Sequence, residues 1–291
     1  MIEFVLVVLV LQVGGWVVLN LMHGKKYRSI QSIRMPGLRL QRLSGPFIWI
    51  ILSSRLIQRC PLLMFRLQRM IGKLHGMNEL GERTILLLAE LMGYSYGILA
   101  LGCLLTVITG GDTAGLILSL LLAILIPAAL LRDLHTKVIN RDQAILMELP
   151  ELLGKIMLLV GAGETVQRAM LHCVNEKSGA TEHPLYQELK QAIGEWNNGY
   201  SFQQALEQLS KRCAIQEVTI FTTTVLLNMR RGGSDFVMAL HELSQTLWSK
   251  RTSISRIRGE QASSKLVFPM ALILLTVIVL IGAPAFMIMD L

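Results

Sequence analysis

Leu149-Pro150-Glu151-Leu152-Leu153, followed by Ile156, Leu159-Val160 and then Gly161-Ala162-Gly163, opens a block of soluble-looking, helix-patterned sequence that runs to Lys265. Leu149, Leu152, Leu153, Ile156, Leu159 and Val160 recur at helical spacing and form one apolar stripe. Pro150 predicts a helix start, because a first-turn proline gives up an N–H that has no intrahelical partner anyway. Gly161 or Gly163 ends that helix, where a left-handed C-cap is wanted. The reading that decides the fold is therefore helical, and the sequence on both sides is too apolar for water.

Working outward, 291 residues with 52% apolar composition, mean hydropathy +0.51 and 16% charged residues lie outside the usual soluble range. Four stretches satisfy the need of a span for about 20 apolar residues: 2–22, 85–109, 115–131 and 266–289. The second carries one charge, Glu90, and the third and fourth carry none. The first is expected to be a retained anchor rather than a secretory signal. Glu3 stands where a basic n-region belongs, and more apolar sequence follows Gly14-Gly15-Trp16 in place of a cleavage site.

Charge placement sets the expected topology. All 28 Lys and Arg fall in two segments, 12 in residues 23–84 and 16 in residues 132–265. The positive-inside rule puts both in the cytoplasm. The N- and C-termini are then outside, and residues 85–131 form a membrane hairpin with a short external turn. The division expected is a 1–22 anchor, a 23–84 basic amphipathic segment, an 85–131 hairpin, a 132–265 cytoplasmic helical domain and a 266–291 terminal span.

Residues 23–84 hold only two acids, Glu79 and Glu82, and interleave basic residues with apolar runs such as 47–52 and 62–67. A span over 47–65 would bury Arg55 and Arg59 at roughly 2.5–3.5 kcal/mol each. An amphipathic helix in the headgroup region avoids that, and the excess basic charge suits anionic lipid. Nucleic acid is not an expected partner, since no recognisable binding module is present. In the hairpin, Gly93-Tyr94-Ser95-Tyr96-Gly97 has the small-xxx-small spacing that lets another helix approach. Glu90 is expected in the interface, with the membrane core beginning near Gly93.

The block resolves into six helices. Thr165 is the expected N-cap of the second, which puts Val166, Ala169, Met170, Cys173 and Val174 on one face. Leu185, Leu189, Ala192, Ile193 and Trp196 mark the third, stopped by Asn197-Asn198-Gly199. Ser201-Phe202-Gln203-Gln204 has the form of a capping box for the fourth, with Phe202, Ala205, Leu206 and Leu209 inward. Residues 217–230 form the fifth, closed by Gly232-Gly233. The sixth starts near Ser234, with Phe236, Leu240, Leu243, Leu247, Ile254 and Ile257 on one side, and meets no Gly or Pro until Gly259. It runs towards the last span. The fold class is all-α: a polytopic membrane protein with about four transmembrane helices and a cytoplasmic six-helix bundle.

The search for chemistry is negative. No G-x-x-x-x-G-K-[ST] phosphate loop is present. His241-Glu242 is followed by Gln245 where a zinc site needs a second histidine, and Phe236 takes the last glycine position of a nucleophile elbow after Ser234. Cys60, Cys103, Cys173 and Cys213 make no C-x-x-C pair. Cys173 reads as core packing and His172 as a surface residue. Thr222-Thr223-Thr224 reads as threonines bonding back to their own helix. Glu164, Glu188 and Glu195 read as a solvated face rather than an ion site. No catalytic residue, cofactor or metal is expected.

Set in order, these features resemble the type II secretion F-domain family, and within it the single-domain platform proteins of Tad (Flp-type) pilus systems. The likeness covers roughly residues 149–284. It rests on Leu149-Pro150, Gly161-Ala162-Gly163, the short helix with Ala169, Gly199 and Ser201 before Ala205-Leu206, and Gly232-Gly233 before a long helix with Arg251, Arg256 and Arg258. Pro269 and Pro284 stand where the family's last span carries prolines. The resemblance implies a non-enzymatic inner-membrane platform that couples a cytoplasmic secretion ATPase to assembly of pilin subunits. Having one F-domain implies self-association or a sister platform protein. The machine is open between an adhesive pilus, a secretion pseudopilus and a sporulation-type complex. The alternative is a small transporter or signalling subunit with a regulatory helical domain, for which several intramembrane polar residues should face a shared cavity.

Overall fold

Apolar runs of spanning length alternate with helix-capping chemistry along this chain, and the computed structural model is correspondingly all-helical. It describes residues 2–23, 45–53, 61–76, 79–110, 113–177, 183–228 and 233–289. Among these are ten helices and no strand: α1 (Ile2–His23), α2 (Gly45–Ser53), α3 (Pro61–His75), α4 (Leu80–Ile108), α5 (Thr113–Gly161), α6 (Val166–Glu176), α7 (Pro184–Asn197), α8 (Phe202–Cys213), α9 (Gln216–Asn228) and α10 (Gly233–Met289). Four of them, α1, α4, α5 and α10, are long and apolar enough to cross a membrane. The chain divides into two units, Met1–Arg141 and Asp142–Leu291, with the boundary inside α5.

In the first unit α1, α2 and α3 each pack on α4. The helix α2 is nearly all apolar, and Phe47, Ile48 and Ile51 are buried against Ala89 of α4. At nine residues it is too short to cross a bilayer. Its apolar residues make it a packing element against α4. Arg55 and Arg59 lie outside the described residues. Amphipathic character belongs to α3, whose Met64 and Ile71 are buried while Arg66 and Arg69 are exposed. Gln12 of α1 and Tyr96 of α4 exchange bonds: the Gln12 amide donates to the Tyr96 carbonyl at 3.2 Å, and the Tyr96 hydroxyl donates to the Gln12 carbonyl. Each partner lies on an apolar span, where an unmet polar group costs several kcal/mol. Glu90 is 2% exposed, enclosed by packing.

The close approach in the hairpin is not at Gly93 or Gly97. Gly93 faces the Phe47 ring at 3.6 Å, an ordinary contact, and nothing lies within 4 Å of a Cβ at Gly97. A Cβ at Gly102 would fall 2.1 Å from Ser119 Cβ of α5, and one at Gly115 would fall 3.2 Å from Thr106 Oγ1. Gly102 and Gly115 therefore let the α4 and α5 backbones meet. Gly102→Ala is expected to destabilise the protein by about 1–3 kcal/mol, since the obstacle is a Cβ that cannot rotate away. Adding Ser119→Gly should restore most of the loss, and Gly97→Ala should cost nothing. Thermal unfolding of the detergent-purified chain checks all three.

The longest departure from expectation is α5, a single helix of 49 residues. Pro150 does not open a helix; it lies inside one. No Gly or Pro occurs between Pro127 and Pro150, so nothing halts the helix as it leaves the span. The proline removes one bond, to the Leu146 carbonyl. Ile145, Leu149, Leu152, Leu153 and Ile156, all fully buried, hold the helix on both sides of it.

In the second unit, the end of α5 and α6 to α10 enclose one core of buried Leu, Ile, Val, Phe, Met, Ala and Cys. Local punctuation matches the sequence. The Gly163 N–H donates to the Val160 carbonyl and the Glu164 N–H to the Leu159 carbonyl, each at 3.0 Å, with Gly163 at φ +96°. That is the left-handed closure only glycine adopts freely, and Gly199 repeats it at φ +98° after α7. The Thr165 hydroxyl accepts from the Arg168 N–H to start α6. Ser201 and Gln204 complete the capping box of α8. The bridge from bundle to span is α10, 57 residues without a break.

Candidate functional site

The second unit offers ion pairs that lock its helices and a helical exit towards the membrane. Among the described residues no three His, Cys, Asp or Glu converge to hold a metal ion. Cys173, 1% exposed in the core, has its thiol pushed up to about 11 by burial, so it stays protonated at neutral pH and is no nucleophile. His172 beside it is exposed. His241 is hydrogen-bonded to Gln245 at 3.1 Å, so the residue that replaces the second zinc-motif histidine partners the first. Thr222 bonds back to the Thr219 carbonyl at 2.9 Å. Cys103 is buried on α4, and Cys60, Gly232 and the Ser234 side chain lie outside the described residues.

The three acids singled out in the sequence separate. Glu164 stays exposed in the turn after α5. Glu188 and Glu195, seven residues apart and so on one face of α7, converge on Arg212 of α8. Arg212 Nε donates to Glu188 Oε2 at 2.8 Å, Nη1 to Glu195 Oε1 at 2.6 Å, and Nη2 to the Glu188 carbonyl at 3.4 Å. The arginine side chain is 9% exposed, against 18% and 23% for the two glutamates. The two acids are thus not a solvated face; they clamp α8 to α7. The missed signal was Arg212 itself, a cation three residues past Leu209 on the apolar stripe of α8.

A second cluster joins α5 to the turn after α6. Lys177 binds Glu148 and also Glu151, at 3.2 Å, and its ammonium lies 5.2 Å from the Tyr186 ring centre. Burial pushes the Glu148 carboxyl up, but the bonded Lys177 outweighs it and the net value falls below the ordinary range. The same bond holds the lysine well above its ordinary value. Burial lowers the His183 imidazole, which keeps Nδ1 free to accept the Leu185 N–H at 3.3 Å and cap α7. Beside this cluster a cleft of about 330 Å³ runs between α6 and α7, lined by Val174, Lys177, Tyr186, Lys190 and Ile193.

The exit is built on α10. Lys250 binds the buried Glu217 of α9. The Arg258 guanidinium donates twice to Gln143 Oε1 of α5, at 2.8 and 3.0 Å, and contacts Met147 Sδ at 3.3 Å. Beyond Arg258 every residue to Ile281 is exposed. The bundle thus grips α10 up to one point, past which the helix continues bare into the span.

A helical bundle delivering its last helix directly into a membrane span defines a class of multi-pass membrane protein with a folded helical domain. Residues 152–284 match the family model described as type II secretion system (T2SS), protein F, and over that range the chain carries an F domain of this family. The family is one of membrane platform proteins serving secretion or pilus machines. No curated protein and no solved structure matches the chain.

Proposed function

We propose that this chain is the inner-membrane platform of a Tad/Flp-type pilus or a type II secretion-like machine, taking motion from a cytoplasmic secretion ATPase to pilin subunits in the membrane. The observation that carries the reading is α10, which is part of the bundle core at Phe236, Leu240 and Leu247 and part of a span after Leu266, in one unbroken helix. The segregation of all Lys and Arg supports a cytoplasmic F domain with both termini outside. A second platform subunit, either a sister protein or another copy of this chain, is part of the proposal. The protein's part is mechanical and not enzymatic: it has no phosphate-cradling loop with which to turn over nucleotide.

The test is biochemical and genetic together. Purified chain freed of its partners should hydrolyse no ATP. Its deletion should leave pilin inserted in the membrane but unassembled. Nucleotide turnover by the isolated chain, or normal pilin assembly without it, would end the proposal.

A further inference from the structure

Arg251, Arg258 and Lys265 recur every seven residues along α10, and that spacing falls only about 20° short of two helical turns. They therefore lie along one face of the helix. Among the described residues none of the three is paired with a carboxylate. Arg251 stacks over the Trp248 ring at 4.8 Å, Arg258 has the neutral amide of Gln143 and the Met147 sulfur, and Lys265 is exposed. The contrast is Arg256, on a different face, which is matched by Glu260 at 3.2 Å. The row of uncompensated charge ends at the residue before the span begins, Leu266.

We propose that the lower end of this row, Lys265 and Arg258, is a binding site for anionic phospholipid headgroups, and that Arg251 stands clear of it. Geometry decides the division. At about 1.5 Å per residue, Arg258 is about 10 Å and Arg251 about 21 Å from Lys265 along the axis. A headgroup layer is about 5–8 Å deep on each side of the hydrocarbon, and the charge of the leaflet is screened within about 8–10 Å. Lys265 is inside that layer, Arg258 stands at about the screening length, and Arg251 is beyond both lengths. A phospholipid is favoured over an acidic protein because the row is continuous with the span, where acyl chains are necessarily present. Arg258 spends Nε and Nη2 on Gln143 Oε1 and turns Nη1 to the Met147 sulfur, neutral acceptors that leave its charge available to attract a phosphate.

The test titrates the full-length chain in neutral detergent with phosphatidylglycerol and with phosphatidylcholine, reading bound lipid by native mass spectrometry. Phosphatidylglycerol should bind more tightly, and the difference should shrink at high salt. Lys265→Gln and Arg258→Gln should each weaken it about fivefold, the expected share of one cation near a charged leaflet. Arg251→Gln should stay within twofold of the parent, and Lys265→Arg should retain binding. Since Arg258→Gln also disturbs Gln143, Lys265→Gln is the deciding variant. Equal affinity for the two lipids, an unchanged Lys265→Gln protein, or an Arg251→Gln loss as large as that of Arg258→Gln would overturn the proposal. So would displacement of the lipid by inorganic phosphate at matched concentration, which would make a free anion the ligand.

Discussion

Arg212→Met is expected to destabilise the helical bundle by about 3 kcal/mol, the lower end of what removing one partner from a buried ion pair costs. Glu188 and Glu195 would be left facing each other, 18% and 23% exposed, without the guanidinium that joins them. The partial exposure of the glutamates keeps the figure at the low end. For a domain whose whole stability is about 5–15 kcal/mol, the loss is still a large fraction. Replacing all three residues with apolar ones of similar volume (Arg212→Met, Glu188→Leu, Glu195→Leu) should recover most of it, because the desolvation of the charges is then removed along with their attraction. Denaturant unfolding of the purified chain, followed by protease resistance of residues 142–265, measures both. A single variant as stable as the parent would mean that the clamp contributes nothing.

That clamp also shows where a sequence stops being readable. Thr165, Ser201-Gln204, Gly163 and Gly199 were legible because caps and left-handed closures are local: the residue and the group it satisfies are within six positions. The core stripes were legible for the same reason, since Leu149, Leu152, Leu153 and Ile156 declare a face by spacing alone. Pro150 misled because its first-turn preference is also local, whereas what holds α5 straight through it is tertiary burial of Ile145 and Leu149. The short helix α2 went unrecognised because nine apolar residues look alike whether they lie on a membrane or pack on Ala89. Pairings such as Gln12 with Tyr96, Gly102 with Ser119 and Arg212 with Glu188 depend on which helices become neighbours. The order of residues in the chain does not declare that. The F domain was recognisable because its signature is an ordered series of local signals, and the matched range, 152–284, spans all but the first residues of that series.

Ser255→Pro tests whether the bundle and the membrane act as one body. Ser255 is exposed on α10, so the substitution disturbs no core contact. A proline there removes the bond to the Arg251 carbonyl and pushes against that turn, at about 3 kcal/mol locally, and it kinks the rod between the bundle and the span. On the proposed mechanism, movement imposed on the bundle reaches the last span through a helix of about 50 Å between Gly233 and Lys265, while α5 is a second unbroken link to a span. A kink in that length absorbs the tilt or rotation it should pass on. The expected result is a protein inserted at normal abundance, with a protease-resistant bundle, that assembles little or no pilin. Gly259→Ala makes the opposite change. Nothing lies within 4 Å of a Cβ at Gly259, so alanine should fit and stiffen the helix by about 1 kcal/mol, with assembly at least equal to that of the parent. Pilin output is measured against membrane abundance for both variants. Full output from a stably inserted Ser255→Pro protein would show that α10 is a tether and not a lever.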